Sequence, residues 1–192
     1  MMHGSSLTTS FRRFALHGYA AEVTCAVPLL EAQLRQFTHD FEVAELPEGF
    51  VPVTGTILPS EESQVLRHLS ADARRVMLDN ELIELYQDGE RFWLIDERVG
   101  LIEINFLRQS WRAWILNQPP TDAVRLAEAA VLWPLAQLLR GRGLFLMPAT
   151  SVVRAGWGVL LIGPSTLEPE LRTLIRAGYR VIGQRWTAIR ED

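Results

Sequence analysis

The residues that come nearest to chemistry stand near the C-terminus, at Gly163-Pro164-Ser165. They follow the apolar run Val159-Leu160-Leu161-Ile162 and precede residues 171–180, which read as a helix and its turn. Strand, glycine turn and helix in that order are the outline of a phosphate-binding loop. In such a loop, inward-pointing backbone N–H groups, a lysine and a hydroxyl hold the phosphates and their magnesium ion. The joining segment here, Thr166-Leu167-Glu168-Pro169-Glu170, supplies two carboxylates, a proline without an N–H, and no lysine. All 19 basic residues of the 192-residue chain are arginine. That excludes a phosphate-loop lysine in cis, a Schiff-base lysine and a lysine general base, whatever the fold.

Other reactive constellations are sparse. His3, His17, His39 and His68 are scattered, and none stands at metal-ligand spacing with Cys25 or a carboxylate cluster. Glu81, Glu84, Asp88 and Glu90 alternate with apolar residues and read as the wet face of a hairpin. Ser151 and Ser165 lack the Gly-x-Ser-x-Gly elbow that would expose a nucleophile. Arg172, Arg176, Arg180 and Arg185 have the fork geometry that binds phosphate, but Glu168 and Glu170 at the helix N-terminus repel the same anion. Arg172 and Arg176 are therefore read as a solvated helix face. No catalytic residue, cofactor or metal is expected.

The elements that would position these residues follow from periodicity. Residues 11–27 alternate as a strand or hairpin, and residues 29–38 have the leucine spacing of a short helix. Residues 40–53 suit one or two short strands, with a helix over 64–69 begun by Ser60-Glu-Glu. Residues 84–87 and 91–96, with Asp88-Gly89 as the turn, form a hairpin that residues 101–106 and 110–116 extend into a meander. Asn117-Gln-Pro-Pro marks a boundary, after which residues 122–139 are an amphipathic helix that Pro134 bends or restarts. Residues 143–153 read as a buried strand broken at Pro148, with Gly156-Trp157-Gly158 turning into the next. The fold expected is α/β in its C-terminal motif and α+β overall. A mostly antiparallel strand region over 1–118 packs with a truncated phosphate-loop-like region over 119–192 in one compact unit.

The order helix, Arg-Gly stop, strand, turn, strand, Gly-Pro-Ser, helix, Ala177-Gly178-Tyr179-Arg180, strand resembles the C-terminal domain of the HPr kinase/phosphorylase family and its kinase-like relatives in bacterial peptide-modification gene clusters. The resemblance covers residues 123–192, and the front of the chain more loosely. It implies a histidine near the end of the first strand, where Met147-Pro148 stands. It implies a lysine and a magnesium hydroxyl near Leu167-Glu168, and an acidic pair where Gly183-Gln184-Arg185 stands. Pro148, Gly163, Ser165, Leu167, Glu168, Gln184 and Arg185 are thus the positions of a degenerate site. Phosphoryl transfer depends on metal and positive charge around the moving group. Losing lysine, metal ligands and base together removes it. The family continues with further strands, so the resemblance also implies a parallel sheet left with an open edge that another chain, a second copy or the N-terminal meander covers.

Composition narrows the partners. A formal net charge of −4 speaks against nonspecific nucleic-acid binding, and no apolar run is long enough to span a membrane. A poor signal-peptide pattern and a single cysteine, Cys25, suit the cytoplasm. Trp93, Trp133 and Trp186 fall within elements and read as core. Trp111 and Trp114 flank Arg112 at a spacing that sends them to opposite faces of a strand, so at least one is expected at the surface. Trp157 in its glycine turn is expected there too. Trp111, Arg112, Trp114 and Trp157 are the candidate protein interface. The function expected is that of a non-catalytic, pseudokinase-like subunit that binds, scaffolds or regulates another protein or peptide. The alternatives are a divergent nucleotide- or phosphate-binding enzyme working through arginines, and a purely structural subunit.

Overall fold

The computed structural model describes residues 9–190 except 17, 40, 77–82, 120, 163–167 and 185. The architecture is α+β, with thirteen strands among the described residues. The chain divides into two compact units, Met1–Leu138 and Leu139–Asp192. The division falls beyond the boundary expected at 118/119, because the helical segment after the prolines packs against the first helix of the N-terminal unit.

The N-terminal unit is an eight-stranded sheet. In chain order its strands are β1 (Ser10–Leu16), β2 (Tyr19–Cys25), β3 (Val53–Ser60), β4 (Arg74–Val76), β5 (Ile83–Asp88), β6 (Arg91–Asp96), β7 (Gly100–Asn105) and β8 (Ser110–Leu116). They lie in the order β1-β2-β3-β8-β7-β6-β5-β4, with β3 parallel to both β2 and β8 and the remaining pairs antiparallel. Helix α1 (Pro28–Thr38) makes the crossover from β2 to β3 and buries Leu30 and Leu34. The expected meander is present as β5 to β8, although Asp88 pairs with Arg91, so the hairpin loop is Gly89-Glu90. Gly89, with φ 56°, takes the first central position that this turn reserves for glycine.

Strand β3 departs from the sequence reading, which puts short strands over residues 40–53 and none between there and Ser60. Gly55 lies beneath the Trp111 indole: a Cβ there would stand 2.1 Å from a ring carbon, so only glycine lets the ring lie flat on the sheet. The Ile57 carbonyl accepts from Ala26 on the β2 side, and alternation turns Pro59 the same way, past the last β2 pair at Cys25–Ile57. The missing proline N–H therefore has no strand to face. The same indole locks the helical layer. Asp122 caps α3 (Ala123–Ala127), its carboxylate accepting from Val124 and Arg125 N–H at 3.0 and 2.9 Å. A π-helical turn (Glu128–Leu132) then leads into α4 (Trp133–Arg140). Pro134 has no N–H to give the Ala130 carbonyl one turn back. Trp111 Nε1 donates to that carbonyl instead, at 2.9 Å and fully buried.

On this face Val23, Ile57, Trp111, Ala113 and Ile115 are buried together with Leu126 and Ala130 of the helical layer. On the other face Trp93, Leu101 and Trp114 gather with Val65 of the short helix α2 (Glu62–Val65). The His68 ring stacks on Trp114 at 4.3 Å. Both faces of β8 are thus covered.

The C-terminal unit holds β9 (Leu144–Met147), β10 (Thr150–Arg154), β11 (Trp157–Leu161), α5 (Glu168–Arg176), β12 (Arg180–Gly183) and β13 (Thr187–Arg190). It contains a three-stranded sheet ordered β11-β10-β12 and a separate β13-β9 pair, and every pairing is antiparallel. This corrects the expected parallel sheet: the strands flanking α5 both pair with β10, which runs against them. Arg154 pairs with Trp157, so the turn is Ala155-Gly156, with φ 49° and 82°. Trp157 is the first residue of β11 and not part of the turn.

Candidate binding edge

The first turn of α5, where the resemblance implies a phosphate site, offers little to an anion. Glu168 opens α5, and its Oε1 accepts from Arg172 at 2.7 Å, both side chains standing in solvent. The nearest arginine on the helix is thereby engaged with Glu168, one of the two positions near which the resemblance implies a lysine. The Thr173 hydroxyl on the same face donates to the Pro169 carbonyl at 2.9 Å. Pro148 and Gln184 are exposed, just after β9 and β12. Gly183 closes against β10, where an added Cβ would meet Ser151 Oγ at 2.8 Å. Gly163, Ser165, Leu167 and Arg185 lie outside the described residues. Among the described residues no three histidine, cysteine or acidic side chains come together as a metal site. Cys25 is buried, and that burial pushes its thiol pKa up.

The exposure expected of the Trp111–Trp114 pair is not there. Trp111 is 1 % and Trp114 7 % exposed, because helices cover one face of β8 and the Val65–His68 segment covers the other. Arg112, between them, is exposed. Trp157, on the other hand, is 79 % exposed at the start of β11.

The C-terminal unit exposes further apolar residues that sequence reasoning did not single out. Leu160, Ile162, Ile175 and Ile182 are all exposed, Ile162 by 61 % and Ile182 by 60 %. Helix α5 buries none of its side chains. Residues 157–162 carry no charge, and no strand among the described residues pairs with the outer side of β11. A row of free backbone donors and acceptors flanked by exposed apolar side chains is a template for another strand.

The edges of the large sheet are protected. Beside β1, Val43 donates to the Arg13 carbonyl and Phe41 accepts from Ala15 N–H, so that edge is occupied. Strand β4, at the far edge of the large sheet, is three residues long and two of them are arginine. Strand β9 is also uncharged, but all four of its side chains are at least half-buried. The run from Trp157 to Ile162 was the available signal for β11, yet an uncharged run marks an exposed edge only once the strand order is known.

Among the described residues no helix is long and apolar enough to cross a membrane. Comparison with family models, with curated proteins and with solved structures finds no match for this chain.

Proposed function

We infer that this chain is a non-catalytic, pseudokinase-like relative of the HPr kinase fold that binds another protein, taking an extended segment of that partner onto the outer edge of β11. The observation that carries the reading is the unguarded edge: five uncharged residues, headed by an exposed tryptophan, in a chain whose large sheet has both edges occupied or charged. The Glu168–Arg172 ion pair supports the non-catalytic half of the reading. A carboxylate at the start of α5 repels a phosphate, and the same carboxylate engages Arg172. Capture from an extract of the source organism, with the wild-type chain and with Leu160→Pro, tests the binding half. The partner should be retained by the first and lost with the second, and amide exchange at residues 157–161 should slow in the captured complex. Equal capture by both chains, with no added protection at β11, refutes strand addition. A rise in melting temperature of several degrees with ATP and magnesium would instead favour a nucleotide-binding enzyme that uses arginines.

A further inference from the structure

We propose that the segment β11 receives is acidic, a strand in which carboxylates are interspersed with apolar side chains. The proposal rests on the strand-addition reading and adds the chemistry of the occupant. Charge is shared unevenly between the two units. Residues 139–192 carry eight arginines against four carboxylates, a formal +4, whereas residues 1–138 carry eleven arginines against nineteen carboxylates, a formal −8. Within the positive unit, Glu168 and Glu170 both belong to the first turn of α5, and Glu168 is already bonded to Arg172. Arginines, in contrast, stand on the other two strands of this sheet. Arg154 is the cross-strand neighbour of Trp157, and Arg180 is the neighbour of Val153, which pairs in turn with Gly158. Both are exposed, and neither has an ion pair among the described residues.

Alternation places Arg154 on the same face as Trp157, and Arg180 on the same face as Leu160. A strand added to β11 would lie about 10 Å from β10, about one screening length from an arginine on that strand. The Arg154 guanidinium lies over the Tyr179 ring at 5.8 Å, on the β12 side of β10, so the carboxylates of the added strand would meet the field of Arg154 and Arg180 and not a direct contact. Its apolar residues would cover Leu160, on the face opposite Arg154 and Trp157. The same charges disfavour a second copy of this chain as the occupant, because two units of +4 would be brought edge to edge.

The test uses the full chain and fluorescein-labelled peptides of alternating valine and glutamate, valine and glutamine, or valine and lysine, read by fluorescence anisotropy. A fourth probe is the glutamate peptide N-methylated at alternate residues, which keeps the charge and removes the pairing N–H groups. The glutamate peptide should bind at least about threefold more tightly than the glutamine one, and the lysine peptide most weakly. That spread should narrow as sodium chloride rises from about 50 to about 500 mM. Arg154→Gln, with an unchanged circular dichroism spectrum, should narrow it as well, and N-methylation should abolish binding. Equal affinity for the three unmodified peptides overturns the acidic preference and leaves strand addition standing. Undiminished binding of the N-methylated peptide overturns strand addition, and no binding by any peptide overturns both. A dimer in sedimentation that Leu160→Lys dissociates assigns the edge to a second copy and overturns the proposal.

Discussion

Replacing Trp111 with phenylalanine should cost the N-terminal unit far more than the loss of a surface tryptophan. The indole N–H donates to the Ala130 carbonyl in place of the backbone N–H that Pro134 lacks one turn on, and the bond is buried. Phenylalanine leaves that carbonyl unsatisfied at about 1–3 kcal/mol and opens a small cavity worth roughly 1 kcal/mol, so the total should be about 2–4 kcal/mol. The assay is urea unfolding followed by circular dichroism, with the slope checked for constancy so that the midpoint reports stability. A second substitution makes the reasoning specific. Pro134→Ala restores an N–H able to reach the Ala130 carbonyl, so Trp111→Phe in that background should cost at least about 1 kcal/mol less than in the wild type. Additivity of the two changes within about 0.5 kcal/mol would show that the carbonyl was never the shared element. A cost below about 1 kcal/mol for Trp111→Phe alone would refute the account of the π-helical turn as well.

Three further outcomes can be measured on the same chain. Gly55→Ala should destabilise by about 2 kcal/mol or more, because its Cβ would stand 2.1 Å from the Trp111 ring, whereas Gly158→Ala, with open space around it, should be close to neutral; paired urea titrations decide. Asp122→Ala should lower the melting temperature at neutral pH. The backbone bonds to Asp122, the one from Arg125 foremost, hold its carboxyl below the usual carboxylate range. A depressed folded-state pKa stabilises above the unfolded value, so the difference between wild type and variant should shrink as pH falls from about 5 and vanish below the depressed pKa. Cys25, buried and with its thiol pKa raised chiefly by desolvation, should react with a thiol reagent only on unfolding, and a fast native reaction would contradict its placement.

How much of this fold the sequence makes readable depends on whether the deciding contact is local. The β5 to β8 meander follows from alternation and one glycine turn, and the start of α3 from Asp122, since each is settled within a few residues. Strand β3 was not readable. What licenses Gly55 is an indole from β8, and what licenses Pro59 is the point at which β2 ends. The spacing of Trp111 and Trp114 correctly sends them to opposite faces of a strand. It does not say that both faces are covered, which depends on Ala130 on one side and on His68 on the other. The strand–helix–strand order around α5 was anticipated, but the antiparallel β10 between its two strands belongs to a pairing that order alone does not determine.

Two features of the C-terminal unit, met separately, have unremarkable explanations. An uncharged edge strand can be a liability that a chain tolerates, and a surplus of arginine can be a matter of composition. Together they constrain each other. A tolerated edge is usually blunted by whatever charge is at hand, and the unit has eight arginines to place, yet none falls between Trp157 and Ile162. Arg154 and Arg180 stand one and two strands in from that edge, where they leave its backbone free for pairing and still bear on what pairs with it. Arginine on β4, by contrast, sits on the edge strand itself, as a guard would. Arg180 likewise stands on an edge strand, β12, at the far side of its sheet, so β11 is the edge of that sheet left without a charge. A positive unit with one uncharged edge favours an incoming anionic strand over one of the chain's own kind.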